Sequence, residues 1–83
     1  MLTEKFTTMI APLKLLKAGE RGVVTRLHQS SDFVSGKLKA LGIAPGNMIT
    51  LEQRFPRYVI RLKGDRIPIS DDVLQAIYIR VLH

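Results

Sequence analysis

The residues of this chain with chemical reach are two histidines, a pair of adjacent aspartates and one crowd of arginines. His28 opens the polar stretch His28-Gln29-Ser30-Ser31-Asp32, and the other histidine is the terminal His83. An imidazole among hydroxyls and a carboxylate is the raw material of a hydrolytic triad or of a weak, exposed metal ligand. No Ser-His-Asp set can be assembled from so local a cluster, and a surface histidine is the simpler account. Asp71-Asp72 precede a short helical pattern, where carboxylates stabilise the helix N-terminus rather than share a proton. Cysteine is absent, which removes thiolate nucleophiles, thiolate metal sites and any disulfide framework. With no helical His pair and no carboxylate cage, the expectation is a protein that is not an enzyme, with no catalytic residue, no metal ligand and no cofactor.

The arginines point elsewhere. Arg54, Arg57, Arg61, Lys63 and Arg66 crowd one predicted hairpin, opposed by Asp65 and Glu52. Thirteen Lys and Arg against seven Asp and Glu leave a net charge of +6, which favours an anionic partner. Nucleic acid, an anionic membrane surface and an acidic protein patch all qualify. Strand alternation puts Arg57, Arg61 and Lys63 on one outward face, where they could track phosphates. The same alternation turns Tyr58 inward, so Phe55 is the one residue placed to stack on a base. Two function classes follow: a protein-docking module, and a small basic barrel binding single-stranded nucleic acid.

Positioning these residues falls to a single small domain, since 83 residues bury a limited core. A composition 46% hydrophobic and 24% charged excludes a disordered chain. The early apolar run from Met9 to Leu13 is too short for a signal peptide or a membrane span, so a soluble cytoplasmic protein without direct membrane insertion is expected. Residues 1–9 show weak periodicity and read as a flexible tail, leaving 10–83 as the domain.

Residues 22–27 read as a strand, and 33–41 as a short helix capped by Ser31 or Asp32, with Val34, Leu38 and Leu41 on one face. The stretch KLKALGIAPGNMITLEQ, residues 37–53, then turns a sharp corner. Gly42 suits a left-handed helix stop, and Ala44-Pro45-Gly46-Asn47 fits a type II turn launching a strand. Strands over 48–53, 58–63, 67–69 and 77–81 complete the pattern. Gly64-Asp65 makes a two-residue hairpin loop, Pro68 marks an edge or a bulge, and a helical turn over 71–76 precedes the last strand. The inward set is Val23 or Val24 with Ile49, Leu51, Tyr58, Ile60, Leu62, Ile67, Ile69, Ile77, Ile79 and Val81. The fold expected is mainly β: a small five-stranded barrel with one short helix between strands 1 and 2.

The order of parts resembles the ferrous iron transport protein A (FeoA) family. The resemblance rests on Leu13-Lys14-Leu15-Leu16-Lys17-Ala18-Gly19, on Leu38-Lys39-Ala40-Leu41-Gly42-Ile43-Ala44-Pro45-Gly46, and on Arg66-Ile67-Pro68-Ile69-Ser70 with the closing strand 76–81. It covers about residues 13–82, and the same module resembles the C-terminal domain of iron-dependent repressors. Lys37 stands where members usually carry Arg, and Arg54-Phe55-Pro56-Arg57 is a shorter loop than the family's common form. The resemblance implies an SH3-like barrel serving ferrous iron uptake, with the cytoplasmic GTPase region of a membrane Fe(II) transporter (FeoB-like) as partner. On that expectation Leu41, Ile43 and Pro45 form one wall of a docking groove, Arg54, Arg57 and Arg61 steer an acidic partner, and Gly42, Pro45, Gly46 and Gly64 serve as turn residues.

Overall fold

A computed structural model describes residues 9–82. Six strands follow one another, β1 Ile10–Pro12, β2 Arg21–Leu27, β3 Met48–Gln53, β4 Tyr58–Leu62, β5 Asp65–Ile69 and β6 Ile77–Leu82. Between them lie a 3-10 turn at Leu13–Leu15 and two helices, α1 Asp32–Leu41 and α2 Asp71–Gln75. All strands join one antiparallel sheet in the order β1-β6-β2-β3-β4-β5. The strand beyond the expected five is β1, three residues ending in a proline. So short a segment carries no alternation to read, and it exists because β6 offers it a pairing edge. Of the tail expected over 1–9, residues 1–8 lie outside the described residues. The carbonyl of Met9 accepts a hydrogen bond from the Val81 N–H at 2.9 Å.

One face of the sheet and both helices share a single core. Val24, Ile49, Leu51, Ile60, Leu62, Ile69, Ile77 and Ile79 are buried in it, with Tyr58, Ile67 and Val81 half-buried against it, as alternation predicts. Leu13 and Leu16 from the 3-10 turn, Val34 and Leu38 from α1, and Val73 and Leu74 from α2 close the core from outside the sheet. Val59 faces outward as expected, yet it is buried, flanked in register by Gln53 and Pro68.

Two irregularities bend the ladder: register shifts at Thr25 in β2 and at Glu52 in β3. Each inserts one residue opposite none, which increases local twist and re-aims the side chain there. The Thr25 hydroxyl donates to the Tyr78 carbonyl at 3.2 Å, fixing the first of them. Where β2 crosses β6, Gly22 sits opposite Val81, and a Cβ at this position would lie 2.5 Å from the Arg80 carbonyl oxygen.

The tight hairpin between β4 and β5 departs from expectation by one residue. Leu62 pairs with Asp65, so the loop is Lys63-Gly64 and Asp65 belongs to the strand. Both loop residues have positive φ, 53° at Lys63 and 85° at Gly64, as a type I′ turn demands. Lys63 hid this loop, because its side chain carries none of the usual preference for that conformation. Pro68 lies on β5, which pairs only with β4, so its missing N–H falls at a sheet edge.

Helix α1 starts at Ser31, whose hydroxyl accepts from the Val34 N–H at 3.1 Å, settling the choice between the two candidate caps. In its exposed middle, a Cβ added to Gly36 would meet no atom within 4 Å. Gly36→Ala is therefore expected to stabilise the domain by about 0.5–1 kcal/mol, since glycine's backbone entropy is lost with no compensating role. A rise in thermal midpoint of a few degrees, roughly 4 °C, checks this.

Candidate docking surface

The corner is built for packing. Past α1, Gly42 adopts φ 75° and its N–H donates to the Lys39 carbonyl, while the Ile43 N–H donates to the Leu38 carbonyl, each at 3.0 Å. This paired closure places the residue after the glycine against the residue one turn back in the helix. Ile43 and Leu38 accordingly sit together in the core, Ile43 only 4% exposed. Leu41 is half-buried against the core and Pro45 is exposed. Gly46, at φ 98°, donates from its N–H to the Val24 carbonyl at 2.8 Å, which ties the turn to β2. Of the three residues expected to form a docking wall, Ile43 lies in the core, Leu41 at its rim and Pro45 on the surface.

The three arginines expected to steer a partner have different fates. Arg54 donates to the carbonyls of Lys14, at 2.7 Å, and Leu16, at 2.6 Å, fastening the 3-10 turn to the β3–β4 loop. Its guanidinium also lies 5.9 Å from the Tyr58 ring centre, so Arg54 is committed to the fold. Arg61 donates to Glu52 and to the Gly64 carbonyl, and Arg66 donates to the same Glu52 at 2.9 Å. Arg57 is exposed and forms no ion pair among the described residues. At the loop tip Phe55 is 86% exposed.

Glu52 is the hub of this hairpin, and the hydrogen bond from Arg61 leads the effects that hold its carboxyl below the usual glutamate range. A carboxyl lowered in the folded state stabilises the fold above its unfolded pKa and loses that contribution as pH falls through the folded value. Glu52→Gln is expected to flatten the loss of urea-unfolding stability between about pH 6 and about pH 3.

The residues with catalytic reach are spread apart or engaged. Ser31 caps α1, and Asp72 accepts from the Ser70 hydroxyl and from the Val73 N–H at 2.9 Å. The first of these bonds leads in keeping the Asp72 carboxyl low. Asp71 accepts from the Gln75 side chain. His28 is exposed at one side of a cleft of about 370 Å³ shared with Ser30, Asp72, Gln75, Ala76 and Tyr78. Among the described residues no group of three or more His, Asp or Glu side chains could hold a metal ion.

What sequence reasoning missed is a second set of arginines, on β2 and β6. Arg21 lies opposite Leu82 and Thr50, Arg80 opposite Val23, and Arg26 opposite Tyr78, with its guanidinium 4.5 Å from that ring's centre. The signal was available: alternation from the buried Val24 and Ile79 places Val23 and Arg80 outward.

A six-stranded antiparallel sheet closed over one core by two short helices defines a small SH3-like β domain. The chain aligns with the zinc-bound FeoA of Stenotrophomonas maltophilia, a prokaryotic SH3 domain protein, with a TM-score of 0.67 and 16% identity over 92% of this chain and 89% of that one. It aligns with the crystal structure of an iron uptake regulatory protein, also an FeoA, with a TM-score of 0.78 and 24% identity over 89% and 99% of the two chains. In sequence, the FeoA domain matches residues 11–81. A protein assigned as Fe(2+) transport protein A in Leptolyngbya boryana is 44% identical over 77 residues, 92% of this chain and 94% of that protein. The chain belongs to the FeoA family, the ferrous iron transport protein A proteins. Among the described residues no helix is long and apolar enough to cross a membrane.

Proposed function

We propose that this protein is a non-enzymatic accessory factor of ferrous iron uptake that binds the cytoplasmic, GTP-hydrolysing region of a membrane Fe(II) transporter of the FeoB type. Its family membership across residues 11–81 carries the reading. The protein acts from the cytoplasm and takes no cofactor of its own. Pro45 and the rim of Leu41 offer apolar contact at the corner, Ile43 supports them from the core, and Arg57 adds an uncommitted charge. SH3-like barrels suit this work because their loops and sheet faces offer rigid surfaces for a peptide or helix.

Binding of the pure protein to the transporter's GTPase region, at low and high salt and against a single-stranded oligonucleotide, tests the proposal. Saturable binding to the GTPase region supports it, and weakening at high salt assigns part of the affinity to exposed charge. Binding to the oligonucleotide alone, falling steeply with salt, overturns it in favour of nucleic-acid recognition.

A further inference from the structure

Among the described residues the strands hold five arginines and no lysine: Arg21 and Arg26 in β2, Arg61 in β4, Arg66 in β5 and Arg80 in β6. The lysines of the described residues lie off the strands, at Lys14 and Lys17, at Lys37 and Lys39 in α1, and at Lys63 in the hairpin loop. Register puts the strand arginines on the outer face, Arg21 aligned through Thr50 with Arg61 and then Arg66. Glu52 forms ion pairs with the last two. Arg21, Arg26 and Arg80 form no ion pair among the described residues. Beside them runs a cross-strand row of Ile10, Arg80, Val23 and Met48, with Ile10 59% and Met48 45% exposed.

We propose that this outer face of β6, β2 and the start of β3 docks an acidic protein surface, whose carboxylates engage Arg21, Arg26 and Arg80 while Ile10 and Met48 supply apolar contact. The guanidinium fork matches the two oxygens of a carboxylate, which an ammonium cannot do. Arg21 and Arg80 are diagonal neighbours on adjacent strands, a spacing of about 7–8 Å between residues and somewhat less between Cβ atoms. That interval is near the roughly 6 Å between residues i and i+4 along a helix, or about 6.8 Å between i and i+2 along a strand. The composition also selects the class of partner. Arginine, methionine and tyrosine are enriched in protein interfaces and lysine is depleted, which is the composition of this face. Attraction to lipid headgroups or a phosphate backbone draws on lysine as readily as arginine, and here the lysines lie elsewhere. Tyr78, the aromatic of this face, lies under Arg26, so no stacking platform is open to bases.

The inference rests on the proposed function only in choosing the transporter's GTPase region as the first partner to try. Amide NMR titrations of the full chain, with that region, poly-L-glutamate, a thymidine oligonucleotide and phosphatidylserine vesicles as separate probes, test it. Both the GTPase region and poly-L-glutamate are expected to perturb residues 21–26, 48 and 77–82. Arg21→Glu with Arg80→Glu is expected to weaken binding of the GTPase region at least about tenfold. Lys37→Glu with Lys39→Glu, the same change in net charge on α1, is expected to weaken it less than about threefold. Arg21→Lys with Arg80→Lys keeps charge and fold but loses the fork, and is also expected to weaken binding.

Equal loss in both charge-reversed pairs, unaltered affinity in the lysine pair, or arginine-dependent binding to oligonucleotide or vesicles in place of poly-L-glutamate overturns the inference. A GTPase region that binds but perturbs other residues also overturns it, with the proposed function intact. Poly-L-glutamate mapping to this face while the GTPase region fails to bind leaves the surface standing and removes the proposed partner.

Discussion

Replacing Gly22 by alanine is expected to lower the thermal midpoint by more than about 10 °C, from a destabilisation of roughly 2–3 kcal/mol. Gly22 lies in β2 between β6 and β3, opposite Val81 on one side and Ile49 on the other. The new Cβ would lie 2.5 Å from the Arg80 carbonyl oxygen and 2.6 Å from the Ile79 Cδ1 atom. A side-chain methyl can swing aside, but a carbonyl in the ladder cannot move without disturbing the β2–β6 pairing. That pairing joins β1 and β6 to the rest of the sheet, so the whole domain feels the cost. The same added methyl is expected to stabilise at position 36 and destabilise at position 22, and urea midpoints of the two variants decide both signs. A Gly22→Ala protein as stable as wild type would show that β2 and β6 separate at small cost.

The second large effect is at the corner. Ile43→Glu is expected to unfold the domain, or to cost more than about 4 kcal/mol, because it buries a carboxylate without a partner. A charge at this position follows from reading Ile43 as a surface contact, and that reading expects lost binding with the fold intact. The side chain is 4% exposed and packs in the core with Leu38, so the fold itself is the expected casualty. Ile43→Val, which removes one methyl group, is expected to cost only about 0.5–1.5 kcal/mol. Circular dichroism and urea unfolding of the pair separate the two readings. A folded Ile43→Glu protein with near-native stability would return Ile43 to the surface.

The burial of Ile43 was legible in the sequence. A glycine stop after a helix places the residue beyond it onto the residue one turn back, so Leu38, Gly42 and Ile43 together specify a packing contact. The corner was legible as local chemistry, and its paired closure is what turns Ile43 inward. Lys63 is the opposite case. Its positive φ has no sequence signal of its own, and only the pairing of Leu62 with Asp65 shows that the loop lies one residue earlier than expected.

By itself the sequence determined what depends on period and on local turns. Alternation sorted Ile49, Leu51, Ile60, Leu62, Ile77 and Ile79 to the inside, since strand side chains change face at every residue. Ser31 and Gly42 bounded α1 because capping needs only neighbours in the chain. The run through Leu38-Lys39-Ala40-Leu41-Gly42-Ile43-Ala44-Pro45-Gly46 carried the family. Only the tertiary structure decided which charges are spent. Arg54 clamps carbonyls about forty residues away in the chain, Glu52 gathers Arg61 and Arg66 across three strands, and Arg21, Arg26 and Arg80 come together from strands at the two ends of the sequence. An ion pair or a basic stripe depends on strand order and register, and those are set by which distant segments bury their apolar faces together, not by any residue's neighbours in the chain.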